Sequence, residues 1–268
     1  MLFRSKGADL VLTIDRRVQL SMEVLLAEAV HDSGSDSGTI VVIEPKTGEL
    51  IAMATTPQLD LNQLEDLGVL FPDGSFFNQA VSQPYEPGSV YKVLTMAAAY
   101  DAGAVSDTTF YTDTGVINVG GFPIYNWDRA GHGRQSMQGC MQLSLNVCLA
   151  WVATEMGEEN FYNYMRAFGI GQLSGVDIAG DNPGRLKVSG DGDWDPFELG
   201  ANSFGQGVAT TPLQMASAIS ALANDGKKMA PHVVRSIIID GFQHDVEIRV
   251  DSIPLKPESA DWITELLA

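Results

Sequence analysis

The sequence predicts an α/β fold, a mixed sheet drawn from both ends of the chain with a helical lobe inserted between them. Three observations predict it. Apolar runs of strand length lie towards the two ends, at 9–14, 39–54 and 232–250, while apolar residues at helical spacing fill the middle. The 268 residues are 45% hydrophobic and 19% charged, enough for one large domain or two lobes around a substantial core. No internal repeat, linker or low-complexity segment divides them.

Asp9 to Ile14 reads as a strand. Asp15 then caps a helix from Arg16 to about His31, with Val18, Met22, Leu25, Leu26 and Ala29 at helical spacing. The polar run from Asp32 to Gly38 is a solvated connection. Thr39–Glu44 and Glu49–Ala54 flank Pro45-Lys46-Thr47-Gly48 and predict a β-hairpin. Pro57 to Pro84 is irregular. A helix follows Ser89 and ends near Gly103. Residues 106–135 hold short β pieces, such as Gly115 to Val119. Ser136 opens a helical stretch through Leu143, a second run covers Val147–Met156 up to Gly157, and a third covers Glu158–Phe168. Residues 172–200 are loop-rich. Thr211-Pro212 is an N-cap followed by proline at the first helical position, and its helix runs to about Asn224. His232–Ile239 and Val246–Val250 are expected to form a hairpin, and Ser259–Ala268 a last helix.

The net charge of −18 and pI near 4.4 argue against nucleic acid as a partner, and no basic patch opposes this. The N-terminus has no signal-peptide core, and no apolar stretch reaches membrane-spanning length, so the chain reads as soluble. Two cysteines, Cys140 and Cys148, are too few for a disulfide framework and are expected to be buried free thiols. His31, His132, His232 and His244 are scattered, and no metal site is predicted.

The chemistry centres on Tyr85-Glu86-Pro87-Gly88-Ser89-Val90-Tyr91-Lys92. Pro87 and Gly88 break regular structure just before Ser89, and small apolar residues continue the helix beyond it. Residues three apart share a helix face, so Lys92 projects on the side of Ser89. First-turn N–H groups suit a developing oxyanion. A serine hydroxyl needs a base to take its proton, and a lysine desolvated by this apolar helix has its pKa lowered towards that use. An S-x-x-K spacing alone is more often an ordinary helix start with a surface lysine; the Pro-Gly before it, the buried helix after it and partners further along favour catalysis.

Several pieces in order resemble the transpeptidase domain of penicillin-binding proteins, most like the class B type. They are Thr13-Ile14-Asp15 with Gln19, Glu44 to Glu49, Asn78-Gln79-Ala80 with Tyr85 to Lys92, Ser144-Leu145-Asn146, Phe168 to Gly171, and Phe204-Gly205-Gln206-Gly207 with Thr211 to Gln214. The resemblance covers nearly the whole chain, so residues 1–268 are expected to form one such domain of the serine transpeptidase and β-lactamase-like fold. It implies that Ser89 is the acylated nucleophile, Lys92 its base and Ser144 a proton relay. It implies that Asn146 binds the substrate's amide backbone and holds Lys92 in place. Gln206 is expected to be structural, its glycines shaping a loop beside the site.

The chain departs from the family at the third motif. Lys46-Thr47-Gly48 lies upstream of Ser89 and serves turn geometry, whereas the family's K-T-G or K-S-G strand lies downstream of the Thr211 helix. There the only lysines are Lys227, Lys228 and Lys256, followed by Lys, Met and Pro. The domain is therefore expected to be incomplete at its C-terminus, lacking that strand. The resemblance implies a peptidoglycan D,D-transpeptidase that cross-links stem peptides and is acylated by β-lactams. Other cell-wall synthesis proteins are implied as partners and no cofactor is. It also implies an extracytoplasmic site, held to the membrane by an N-terminal helix absent here. Two alternatives stay open. One is a β-lactamase or β-lactam sensor, although no E-x-x-L-N segment supplies a deacylating glutamate. The other is a non-catalytic scaffold for cell-wall assembly.

Overall fold

The structure, a computed structural model, describes residues 7–58 and 78–268. Most of the stretch expected to be irregular, 59–77, lies outside the described residues.

Strand β1 (Asp9–Leu12) leads into helix α1 (Arg16–Ser33). The Asp15 carboxylate accepts from the N–H groups of Arg17 and Val18, so α1 starts where the sequence placed its cap. It ends at Ser33, two residues beyond the expected His31, with Gly34 capping it in the left-handed conformation. Strands β2 (Gly38–Ile43) and β3 (Leu50–Thr56) form the expected hairpin, with Val41 opposite Met53. The Thr13-Ile14-Asp15…Gln19 pattern has a physical role here. Thr13 Oγ1 donates to Leu50 O at 2.6 Å, and Asp15 N donates to Ile51 O at 2.9 Å. Gln19 uses both ends of its amide on Met53: Oε1 accepts from the N–H at 2.8 Å and Nε2 donates to the carbonyl at 3.1 Å. A side chain thus occupies the pairing positions along the outer edge of β3. Sheet β2–β3 is two-stranded among the described residues.

The core lies in the helical lobe. After a short helix α2 (Gln79–Ser82), a 3-10 turn at Gly88–Tyr91 runs directly into α3 (Lys92–Asp101). Leu94, Met96, Ala97, Ala98 and Ala99 are all fully buried, because alanine lets neighbouring helices close on every side of α3. Residues 106–136 supply four short strands: β4 (Phe110–Asp113), β5 (Val116–Val119), β6 (Phe122–Tyr125) and β7 (Gly133–Ser136). β4 pairs with β7 and β5 with β6. Then come α4 (Met137–Gln142), α5 (Asn146–Met156) and α6 (Glu158–Ala167), as the periodicity predicts. A short helix α7 (Phe197–Asn202) begins inside the stretch expected to be loop-rich and runs two residues past it. Helix α8 (Pro212–Ser220) opens with a capping box between Thr211 and Gln214.

Two expectations are corrected. Cys140 and Cys148 are not free thiols: they form a disulfide, with Cα atoms 6.0 Å apart. The two cysteines, both buried, stand on either side of the 143–145 turn, eight residues apart, and the turn brings them within bonding distance. The late hairpin is also different. After β8 (Lys228–Met229), β9 (Val234–Ile239) pairs with β10 (Phe242–Asp245); of the expected 246–250 partner only Val246 bonds to it, its N–H donating to Arg235 O at 2.9 Å. Asp240 and Gly241 both have positive φ, 52° and 84°, which makes the tight two-residue turn that Asp-Gly favours. β11 (Val250–Ser252) pairs instead with β8. β1 joins β9 in an antiparallel sheet, so strands from the two ends of the chain do combine. A last helix, α9 (Pro257–Leu267), begins with Pro257 and buries Ile263 in the core, with Trp262 stacked on Tyr100 at 3.9 Å.

Candidate active site

The segment Tyr85–Lys92 is fastened to residues 205–210 along its length. Tyr85 and Thr210 exchange backbone hydrogen bonds of 2.9 Å in both directions. Glu86 Oε1 accepts from Gly207 N at 2.9 Å, and Gly88 N donates to Gly205 O at 3.0 Å. Gly205 has φ of 79°, and a Cβ there would lie 2.3 Å from Gly88 O. Only glycine lets the two backbones approach this closely. The Phe204-Gly205-Gln206-Gly207 stretch thus fixes the loop that presents Ser89. Gln206 itself is exposed.

Ser89 is exposed in the first turn of the helix, and the N–H groups of a first turn lack intrahelical acceptors. Lys92, one turn on, is 1% exposed. Its Nζ donates to Ser144 O at 2.7 Å and to Ser144 Oγ at 2.9 Å, and Ser144 Oγ donates to Ser89 Oγ at 3.1 Å. The three residues form one line, with Ser144 in the middle. Burial away from water disfavours the ammonium and lowers the Lys92 pKa from 10.5 to about 8. Hydroxyl hydrogens rotate to suit their partners, so the Ser144 hydroxyl can donate towards either end of this line.

Ser144 sits between α4 and α5 with φ of 53°, a left-handed conformation that is uncommon for any residue but glycine. Its N–H donates to Met141 O at 3.0 Å, and its carbonyl accepts from Lys92. The Cys140–Cys148 disulfide closes the base of the same turn. Non-glycine residues held in this region cost of order 1 kcal/mol, and such strain persists where the surroundings over-determine it. Lys92 is held by Ser144. The amide of Asn146, expected to reach Lys92, instead donates from Nδ2 to Tyr125 O at 3.2 Å.

The sequence reading missed Asn126. Its Oδ1 accepts from Val147 N at 3.1 Å in the first turn of α5. No local pattern marks it, since it stands in a Gly- and Asp-rich stretch 21 residues from its partner. Among the described residues, no group of three or more His, Cys, Asp or Glu could hold a metal ion.

Residues 38–268 match the profile of the family described as the penicillin binding protein transpeptidase domain. Stage V sporulation protein D of Bacillus subtilis is 34% identical over 87% of this chain and 35% of its own length. Peptidoglycan D,D-transpeptidase MrdA of Escherichia coli is 30% identical over 88% of this chain and 39% of its own. The crystal structure of penicillin binding protein 3 from Mycobacterium tuberculosis, complexed with aztreonam, superposes with a TM-score of 0.88 at 30% identity. That match covers 99% of this chain and 59% of the other. The chain spans little more than a third of the length of these curated relatives.

Proposed function

We propose, from the premise that this chain belongs to the penicillin-binding protein transpeptidase family, that it carries the acyl-transfer centre of a peptidoglycan D,D-transpeptidase. The observation that supports this most is the line Lys92 Nζ–Ser144 Oγ–Ser89 Oγ, with an exposed serine at one end and a buried lysine at the other.

Neutral Lys92 takes the Ser144 proton while Ser144 takes that of Ser89. Ser89 Oγ then bonds to the carbonyl carbon between the two D-alanines of a stem peptide. The C–N bond to the terminal D-alanine breaks, and the proton on Lys92 returns through Ser144 to the leaving amine. An amine of a neighbouring stem attacks the ester, gives its proton to the same base and restores Ser89. A β-lactam enters at the first step, its ring C–N bond opening on Ser89. Asn146, two residues from Ser144 and half-buried at the start of α5, aligns the substrate's amide backbone. A disulfide within the domain fits an extracytoplasmic, oxidising compartment, where peptidoglycan lies. Among the described residues, no helix is long and apolar enough to cross a membrane.

Incubation with a fluorescent penicillin, read by intact mass, tests this proposal. The expected result is one adduct in the wild type and none in a folded Ser89→Ala variant. An adduct that survives in Ser89→Ala removes Ser89 from its role. The alternative, a non-catalytic scaffold, predicts no adduct in the wild type even when a Lys-Thr-Gly strand is supplied.

A further inference from the structure

We infer that Asn126 is a positioning residue for the Ser144 turn, capping helix α5 from a distant strand and setting the place of the relay hydroxyl. The inference rests on the acyl-transfer reading above for what the turn does.

Helix α5 has no cap of its own. Leu145 stands at its N-cap position and makes no side-chain hydrogen bond there. First-turn N–H groups need an acceptor, which a Ser, Thr, Asp or Asn at the N-cap ordinarily supplies. In this chain Asn126 supplies it, its Oδ1 accepting from Val147 N at 3.1 Å. The neighbouring carbonyl of Tyr125 takes the amide of Asn146 at 3.2 Å. The residues at the end of β6 thus hold two successive residues of α5, and Ser144 lies two residues before the first of them.

Asn126 is itself locked. It is 2% exposed, and its Nδ2 donates to Asp113 Oδ2 at 2.8 Å and Ala130 O at 3.0 Å. Asp113 is also 2% exposed, and it accepts further from His132 N at 2.9 Å and Gly115 N at 3.2 Å. The carboxylate, the amide and the helix start form a three-tier stack whose donors are matched to acceptors. A stack that served only to bury polar groups would not need to end on the residue that follows Asn146. Ser144 is in a left-handed conformation whose carbonyl and hydroxyl must both meet Lys92. A small rotation of α5 breaks that double contact, and a misplacement of about 1 Å costs on the order of 100-fold in rate.

Two variants of the 268-residue chain test the inference. Asn126→Ala removes the cap. Asn126→Asp keeps an acceptor for Val147 and loses both donors. Two readouts are taken: the Lys92 titration by NMR of 13Cε-labelled lysine, and the first-order acylation step at saturating fluorescent penicillin, per titratable site. The Lys92 titration is expected to move by roughly half a unit to one unit. The acylation step is expected to fall roughly 10- to 100-fold, with the reversible binding of the penicillin little changed. A purely structural role would lower the number of titratable sites while each remaining site keeps its rate and its Lys92 titration; that result overturns the inference. So does failure of both variants to fold, which would make Asn126 a folding residue. Should the wild type form no adduct, the Lys92 titration still decides: movement supports positioning while the acyl-transfer reading falls, and no movement overturns it.

Discussion

The pH dependence of Ser89 acylation follows from the burial of Lys92. An ordinary lysine, at 10.5, is neutral in about one molecule in 3,000 at pH 7; at about 8 the neutral share is roughly one in ten. Burial on α3 therefore multiplies the available base by roughly 300 at neutral pH. The acylation rate constant is expected to rise about tenfold per pH unit between pH 5 and 7 and to level off above about 8. Lys92→Arg retains a cation of similar reach that cannot give up its proton, so it is expected to acylate at least 100-fold more slowly, with no plateau. Quenched-flow labelling with a fluorescent penicillin from pH 5 to 10 measures both. A flat wild-type profile, or Lys92→Arg within tenfold of it, would refute Lys92 as the base. A rate still rising tenfold per unit up to pH 10 would keep Lys92 but refute burial as what tunes it.

The same burial has a stability consequence. Because Lys92 is lowered in the folded state, the unfolded chain binds more protons between pH 8 and 10.5. Its burial therefore destabilises the fold below about pH 8, and the cost fades as pH rises through that window. Lys92→Met is expected to gain about 1–3 kcal/mol at pH 7 and progressively less by pH 10.5, as urea titrations of both proteins would reveal; an equal difference at all pH values would contradict this. Gly205→Ala forces a Cβ against Gly88 O and is expected to cost about 1–3 kcal/mol and slow acylation, read by thermal melting and labelling. An unchanged melt and rate would mean the 88–205 contact does not set Ser89. No Lys-Thr-Gly follows α8 in these 268 residues, so acylation of the chain by itself is expected to be slow. A Lys-Thr-Gly strand, added in cis or as a peptide, should speed it, since one oxyanion donor is worth about 2.7–4 kcal/mol. Family-typical rates without such a strand would show that the expectation misplaced the third motif.

Local signals were legible in the sequence. Pro87-Gly88 before Ser89, Asp15 before α1 and Thr211-Pro212 before α8 each mark an element start through the backbone chemistry of neighbouring residues, and the structure starts helices there. The relay line was half legible. Helical spacing puts Lys92 on the side of Ser89, but the bonds of its Nζ go to Ser144, 52 residues away. The Cys140–Cys148 disulfide and the Asn126 cap depend on how a turn folds two helices together and on where a strand ends, which no single window of sequence contains. The late hairpin differs for another reason: the Asp240-Gly241 turn sets the strand register at once, so 242–245 pairs with β9 before the apolar run at 246–250 is reached.

The Gln19 amide on β3 gives the small sheet a polarity. One margin is filled by a side chain that mimics a strand, and among the described residues the other, along β2, has no strand beside it. A sheet with one receptive margin takes a single further strand at a time. Two copies meeting there would use up each other's margin and stop as a closed two-fold pair, whereas two receptive margins would permit an endless ribbon. Gln19 closes that margin together with Asp15, whose N–H meets Ile51 O, and His232, which exchanges bonds with Gly48 and Leu50, so residues distant in sequence jointly set a limit on how far such an assembly can run.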